Sequence, residues 1–141
     1  MRIYLLFALL STSFFSFAQE VNSTQSKVDF EIGNMKINTV EGSFSGMEGE
    51  LFFDPLSLEE CFFQVCIDAK SVDTGSDKRD EHLRTEDFFH TEVYPLICFD
   101  SEEVRKGEEA DFLVIGTLNL RGVERKVEIP FRFENNTFVG T

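Results

Sequence analysis

Arg79, Asp80 and His82 sit almost side by side, with Asp77 just before them and His90 a short way after. Residues of these types can do proton transfer or hold a metal. A catalytic reading needs a nucleophile held beside His82, and no serine motif of that kind is present. A metal reading would combine Asp77, Asp80, His82 and His90, but the chain has only 2 His, and their spacing fits no standard zinc pattern. The plain reading is structural: Arg79 and Asp80 tie a charged loop down through charge-assisted hydrogen bonds. A middle reading has the loop gate a cavity mouth or meet a ligand headgroup. Cys61, Cys66 and Cys98 are an odd set and match no zinc pattern. Cys66 and Cys98 alternate with apolar neighbours, which places both on outward strand faces. A disulfide between them and a pair of free thiols both stay open, because geometry decides the matter.

The rest of the chain must position these groups. Arg2 and the free amine, the apolar run Ile3 to Leu10, and Ser16-Phe17-Ala18 have the layout of an export signal cut between Ala18 and Gln19. The apolar run is broken by Ser11-Thr12-Ser13 and falls short of the roughly 20 residues that span a bilayer. Residues 1–18 are therefore expected to be removed, 19–25 to form a short leader, and 26–141 to form one domain that is not membrane-spanning and works in the periplasm or as a secreted protein. Without residues 1–18, 12 basic residues stand against 26 acidic ones, a formal charge of −14. Such a surface repels phosphate backbones, so no nucleic-acid partner is expected. The full chain has 17 Phe and no Trp, which suits either a Phe-rich core or a greasy cavity.

From Ser26 the hydrophobic period is two. Val28, Phe30 and Ile32 alternate with charged residues. Residues 36–44 and Gly49 to Phe53 read as further strands, the latter stopped by Asp54-Pro55. Cys61 to Ala69 is a strong strand. Ser71 to Thr91 breaks the pattern, and Thr85, followed by Glu86 and Asp87, reads as the cap of a short helix anchored by Phe88 and Phe89. Strands resume at Leu96. Turns are expected at Lys106-Gly107 and Arg121-Gly122. Short strands with frequent turns indicate an all-β, antiparallel sandwich or barrel.

Within this frame, Ser71-Val72-Asp73-Thr74-Gly75, Arg79-Asp80-Glu81-His82-Leu83, Asp87-Phe88-Phe89 and Tyr94-Pro95-Leu96-Ile97-Cys98-Phe99 resemble the YceI-like family of polyisoprenoid-binding proteins. Gly42-Ser43-Phe44, Gly49 to Phe53 and Gly116 to Val123 extend the resemblance over about residues 26–133. It implies a lipocalin-like antiparallel β-barrel with a long apolar tunnel, exported, binding an isoprenoid or other amphiphilic lipid without enzymatic activity. The family normally continues for further strands, so the barrel is expected to lack its last C-terminal strands, and a homodimer stays open as an arrangement.

The alternation nominates tunnel walls: Phe30 and Ile32; Phe44; Leu51 and Phe53; Phe63, Val65 and Ile67; Ile97 and Phe99; Val114 and Leu118; Val127, Ile129 and Phe131. Each serves equally as plain core, and a one-residue register error would invert the faces. No catalytic residue, metal or cofactor is expected; the ligand is an isoprenoid or acyl lipid. The alternatives are a metal-assisted or loop-based enzyme built on Arg79, Asp80 and His82, and a β interaction module with a filled core.

Overall fold

The computed structural model describes residues 18–34 and 38–140. The expected export signal and the side chain of Ile32 lie outside the described residues. Strands β1 (Gln19–Glu20), β4 (Glu48–Phe52), β5 (Phe62–Asp68), β6 (Leu96–Lys106), β7 (Phe112–Leu120), β8 (Val123–Glu134) and β9 (Thr137–Gly140) make one antiparallel sheet in the order β1-β4-β5-β6-β7-β8-β9. Strands β2 (Val28–Asn34) and β3 (Asn38–Phe44) form a separate two-stranded ribbon. One short helix, α1 (Asp77–Arg84), lies in the excursion between β5 and β6. The sheet curls into a half-barrel. Its pairing extends to Gly140, with one register shift between Ser101 and Glu103 on β6, and an absence of C-terminal strands is not something the sheet shows.

Local chemistry sets the turns. Between β7 and β8, Arg121 and Gly122 have φ of 53° and 71°; between β8 and β9, Asn135 and Asn136 have 50° and 60°. Two consecutive left-handed residues make the hairpin turn whose twist matches that of its strands. On β7, Gly116 lies directly under the Phe99 ring. A Cβ there would come within 2.7 Å of that ring, so the close approach requires glycine.

The helix differs from the expectation. It starts after Ser76 and ends at Thr85, whose hydroxyl donates to the His82 carbonyl at 2.7 Å. Thr85 closes a helix rather than opening one. Asp77 and Asp80 occupy the first turn, where the helix dipole favours them. Phe89 packs edge-on to Phe44 with centroids 5.3 Å apart, whereas Phe88 is 46% exposed beside His82.

The curl is held by aromatic packing. Phe53, just past β4, meets Phe112, Phe131, Phe133 and Phe138 with ring centroids 5.0–5.6 Å apart. Strands β4 and β9 are five positions apart in the sheet. A flat sheet would separate them by about 24 Å. The 5.4 Å between Phe53 and Phe138 therefore requires the two margins to fold towards each other over a shared core of Phe99, Val104, Phe112, Val114 and Phe131. A second cluster, Phe44, Ile67 and Val72, joins the β2–β3 ribbon to the other end of the sheet.

Cys66 and Cys98 are directly opposite on β5 and β6 and form a disulfide on the convex face. Cys61 is free and packs against the Phe-rich core. Burial pushes its thiol above the ordinary value, opposed by the Asp54 backbone N–H donating to the sulfur.

Phe53→Ala should lower unfolding free energy by about 3 kcal/mol, read by urea denaturation. Leu56→Ala, at a side chain 91% exposed, should change it by less than about 0.5 kcal/mol.

Candidate functional site

Strand register puts the nominated wall residues of the large sheet on one face. Leu51 is opposite Phe63, Val65 opposite Phe99, and Ile67 opposite Ile97. Phe99 is in turn opposite Leu118, Val114 opposite Ile129, Gly116 opposite Val127, and Phe112 opposite Phe131. Residues directly opposite in an antiparallel pair point the same way. This common face is the concave one, because Phe99, Val114 and Phe131 belong to the core that the curl encloses. Phe53 joins the same core from beyond β4. Phe30 and Phe44 come from the separate ribbon and pack with Ile67 and Ile97 at the other end.

Burial is uneven along this face. Leu51, Ile67, Phe99, Val114 and Phe131 are buried, while Phe63, Val65, Ile97, Leu118, Val127 and Ile129 keep part of their surface exposed. Val65, Leu118, Val127 and Ile129 pack against the aromatic core and keep part of their surface exposed, so they form an apolar strip along the trough of the curl. Strand β9 pairs only with Phe131 to Glu134 of β8, and among the described residues nothing pairs with the same edge of β8 from Val123 to Pro130. A second concavity, beside Asp29, Glu31, Glu41 and Asp73, is open and acidic.

The residues singled out for chemistry lie at the Ile67 end and form a clamp. The Asp80 carboxylate is 5% exposed and accepts from the Thr74 N–H at 2.9 Å and from its hydroxyl at 2.5 Å. Arg79 donates to the Thr74 hydroxyl and carbonyl at 2.7 and 2.8 Å. Arg84 donates to the carbonyls of Lys70 and Val72 at 2.8 and 2.9 Å. Helix α1 is thereby tied to the loop that follows β5. That loop holds the ribbon through paired backbone bonds between Ser43 and Asp73, at 2.8 and 3.0 Å. Arg121, at the β7–β8 turn, closes the other side by donating to the carbonyls of Phe88 and Glu86. His82 is exposed, 3.3 Å from Asp87, and His90 lies against Tyr94. Asp77, Asp80, His82 and His90 do not converge: among the described residues no three His, Cys, Asp or Glu side chains gather as a metal site would need.

Sequence reasoning missed the roles of Thr74, Arg84 and Arg121. Their partners are backbone carbonyls and a residue several positions away, which leave no periodic signal. Asp80→Ala should cost about 2 kcal/mol, because it leaves the Thr74 N–H without its acceptor. Asp80→Asn, which keeps a carbonyl oxygen, should cost less. Chemical denaturation, with limited proteolysis of the 71–95 segment, checks both.

The chain resembles known proteins over this whole region. The model of the YceI-like domain matches residues 19–141. A UPF0312 protein of Photorhabdus laumondii is 37% identical over 100 residues, covering 71% of this chain and 52% of that protein. Protein YceI of Escherichia coli is 36% identical over 103 residues, covering 72% and 53%. The chain spans about half the length of these curated relatives, and neither name denotes an enzyme. Among solved structures, the Campylobacter jejuni YceI protein superposes with a TM-score of 0.63 at 28% identity, over 82% of this chain and 67% of that one. Burkholderia cenocepacia BcnA does so with a TM-score of 0.68 at 25% identity, over 81% and 72%. With its curled antiparallel sheet, the clamp that ties its excursion down and these matches, the chain belongs to the YceI-like family.

Proposed function

We propose that the protein binds the apolar chain of an isoprenoid or acyl lipid along its concave face, outside the cytoplasm, without chemical conversion. The observation that carries this reading is the partly exposed apolar run of Val65, Leu118, Val127 and Ile129, which packs on the aromatic core from the concave side. A protein with nothing to bind gains by covering such a face, since each CH2 kept from water is worth about 0.8 kcal/mol. An alkyl or prenyl chain laid in the trough would cover it and needs no polar partner along its length. The clamp of Thr74, Asp80 and Arg84 keeps the Ile67 end of the trough in shape.

A second reading, a β interaction module with a filled core, is favoured by the aromatic packing around Phe53. The two separate on ligand content. Purified protein extracted with organic solvent should yield a stoichiometric prenyl or acyl species by mass spectrometry. Delipidated protein should also take up a fluorescent fatty acid. Clean extracts together with no uptake would favour the filled module.

The export expected from the N-terminal sequence fits the same reading, because a lipid binder is useful in an aqueous compartment beside membranes. The exported protein should begin at Gln19 by N-terminal sequencing. A start at Met1 in the same fraction would remove the signal peptide from the account.

A further inference from the structure

Strand β8 continues the concave row past the residues named so far. Phe133, Phe131, Ile129 and Val127 point into the trough, and two residues further along the same strand is Arg125, directly opposite Leu118 on β7. No register shift interrupts the β7–β8 pairing, so Arg125 shares the face of Leu118 and Val127. It ends the cross-strand row Val65, Phe99, Leu118, Arg125. Arg125 is exposed, so its charge stays hydrated, but it lies on the face that the apolar rows line rather than on the convex face where charges of a half-buried sheet are normally kept.

Arg105 and Arg132 also lack a side-chain partner among the described residues, but they lie on the convex face, opposite Leu113 and Val139; the other cations nearby have partners. Lys126, on the convex face, contacts Glu102 at 2.6 Å; its hydrogen bond, with that of Thr117, holds the Glu102 carboxyl below its usual range. Arg121 is engaged with two carbonyls. Lys106, at the aromatic end of the concave face, lies 4.2 Å over the Phe112 ring. Among the described residues, Arg125 has no carboxylate within salt-bridge distance and no hydrogen-bond acceptor.

We infer that Arg125 is the headgroup anchor of the trough, and that the ligand is a single-chain amphiphile with an anionic head, a carboxylate or a phosphate. The inference rests on the proposed lipid binding and specifies its ligand class. The planar fork of arginine matches either head bidentately. The apolar chain then runs from Arg125 along Val127 and Ile129 towards the Phe53 cluster. Long-range repulsion from the acidic surface does not prevent this, since it is screened beyond about 8 Å at physiological salt, while the contact with Arg125 is direct.

The test uses the full chain, delipidated, with three probes of equal chain length: dodecanoate, dodecyl phosphate and dodecanol. Wild type should bind at least one anionic probe roughly tenfold or more tightly than dodecanol, the discrimination a charge-assisted pair supplies. Dodecanoate alone responding assigns a carboxylate head, dodecyl phosphate alone a phosphate head, and both together a site that takes either. In Arg125→Gln the ratio should fall to within about twofold, and Arg125→Lys should keep part of it. Matched melting curves establish that the variants are folded. Equal binding of all three probes by wild type, or a ratio that Arg125→Gln leaves intact, overturns the anchor while leaving lipid binding standing. Failure of every probe to bind overturns both.

Discussion

The contact between Phe53 and the rings of β8 and β9 is the constraint on which the rest of the molecule depends. Hydrogen bonding alone gives a twisted sheet, and twist does not bring β4 within reach of β9. Apolar contact across the interior does. Phe53 stands just past the end of β4, two residues beyond Leu51 and so on the same face, and Asp54-Pro55 ends the strand there. Once the margins approach, the sheet has an inside. Every alternating residue from Phe63 to Phe138 acquires a meaning as concave or convex.

The other end is organised by polar groups. Asp80 is buried with both of its bonds made to Thr74, and Arg84 and Arg121 satisfy carbonyls that an irregular loop would otherwise leave to solvent. One end of the trough is therefore plugged by rings and the other fastened by charge-assisted bonds. Between them, Val65, Leu118, Val127 and Ile129 pack against the ring cluster and keep part of their surface exposed.

Much of the scaffold was legible because a one-faced antiparallel strand writes its burial as a period of two. Phe63-Val65-Ile67 and Val127-Ile129-Phe131 are read correctly from that alone. The helix was not. Ser76-Asp77 and Thr85-Glu86 are both hydroxyl–acid pairs, and local capping preference does not choose between them. Burial of Asp80 against Thr74 chooses the first, and that is a tertiary contact. The pairing of Cys66 with Cys98 was likewise beyond sequence, because it depends on the register of two strands 32 residues apart. Arg125 lay within reach of the same alternation that found Val127. A charged residue ends an apolar pattern to the eye, although the strand carries it onto the same face.

Among the described residues, one edge of β8 has no neighbouring strand beyond the reach of β9. From Val123 to Pro130 it offers backbone groups that another strand could take up, the usual route to uncontrolled polymerisation. Its residues counter that route: Glu124, Arg125, Lys126 and Glu128 place charges of both signs along it, and Pro130 has no N–H to donate. The same few residues thus act as gatekeepers, keeping this stretch of backbone from templating aggregation.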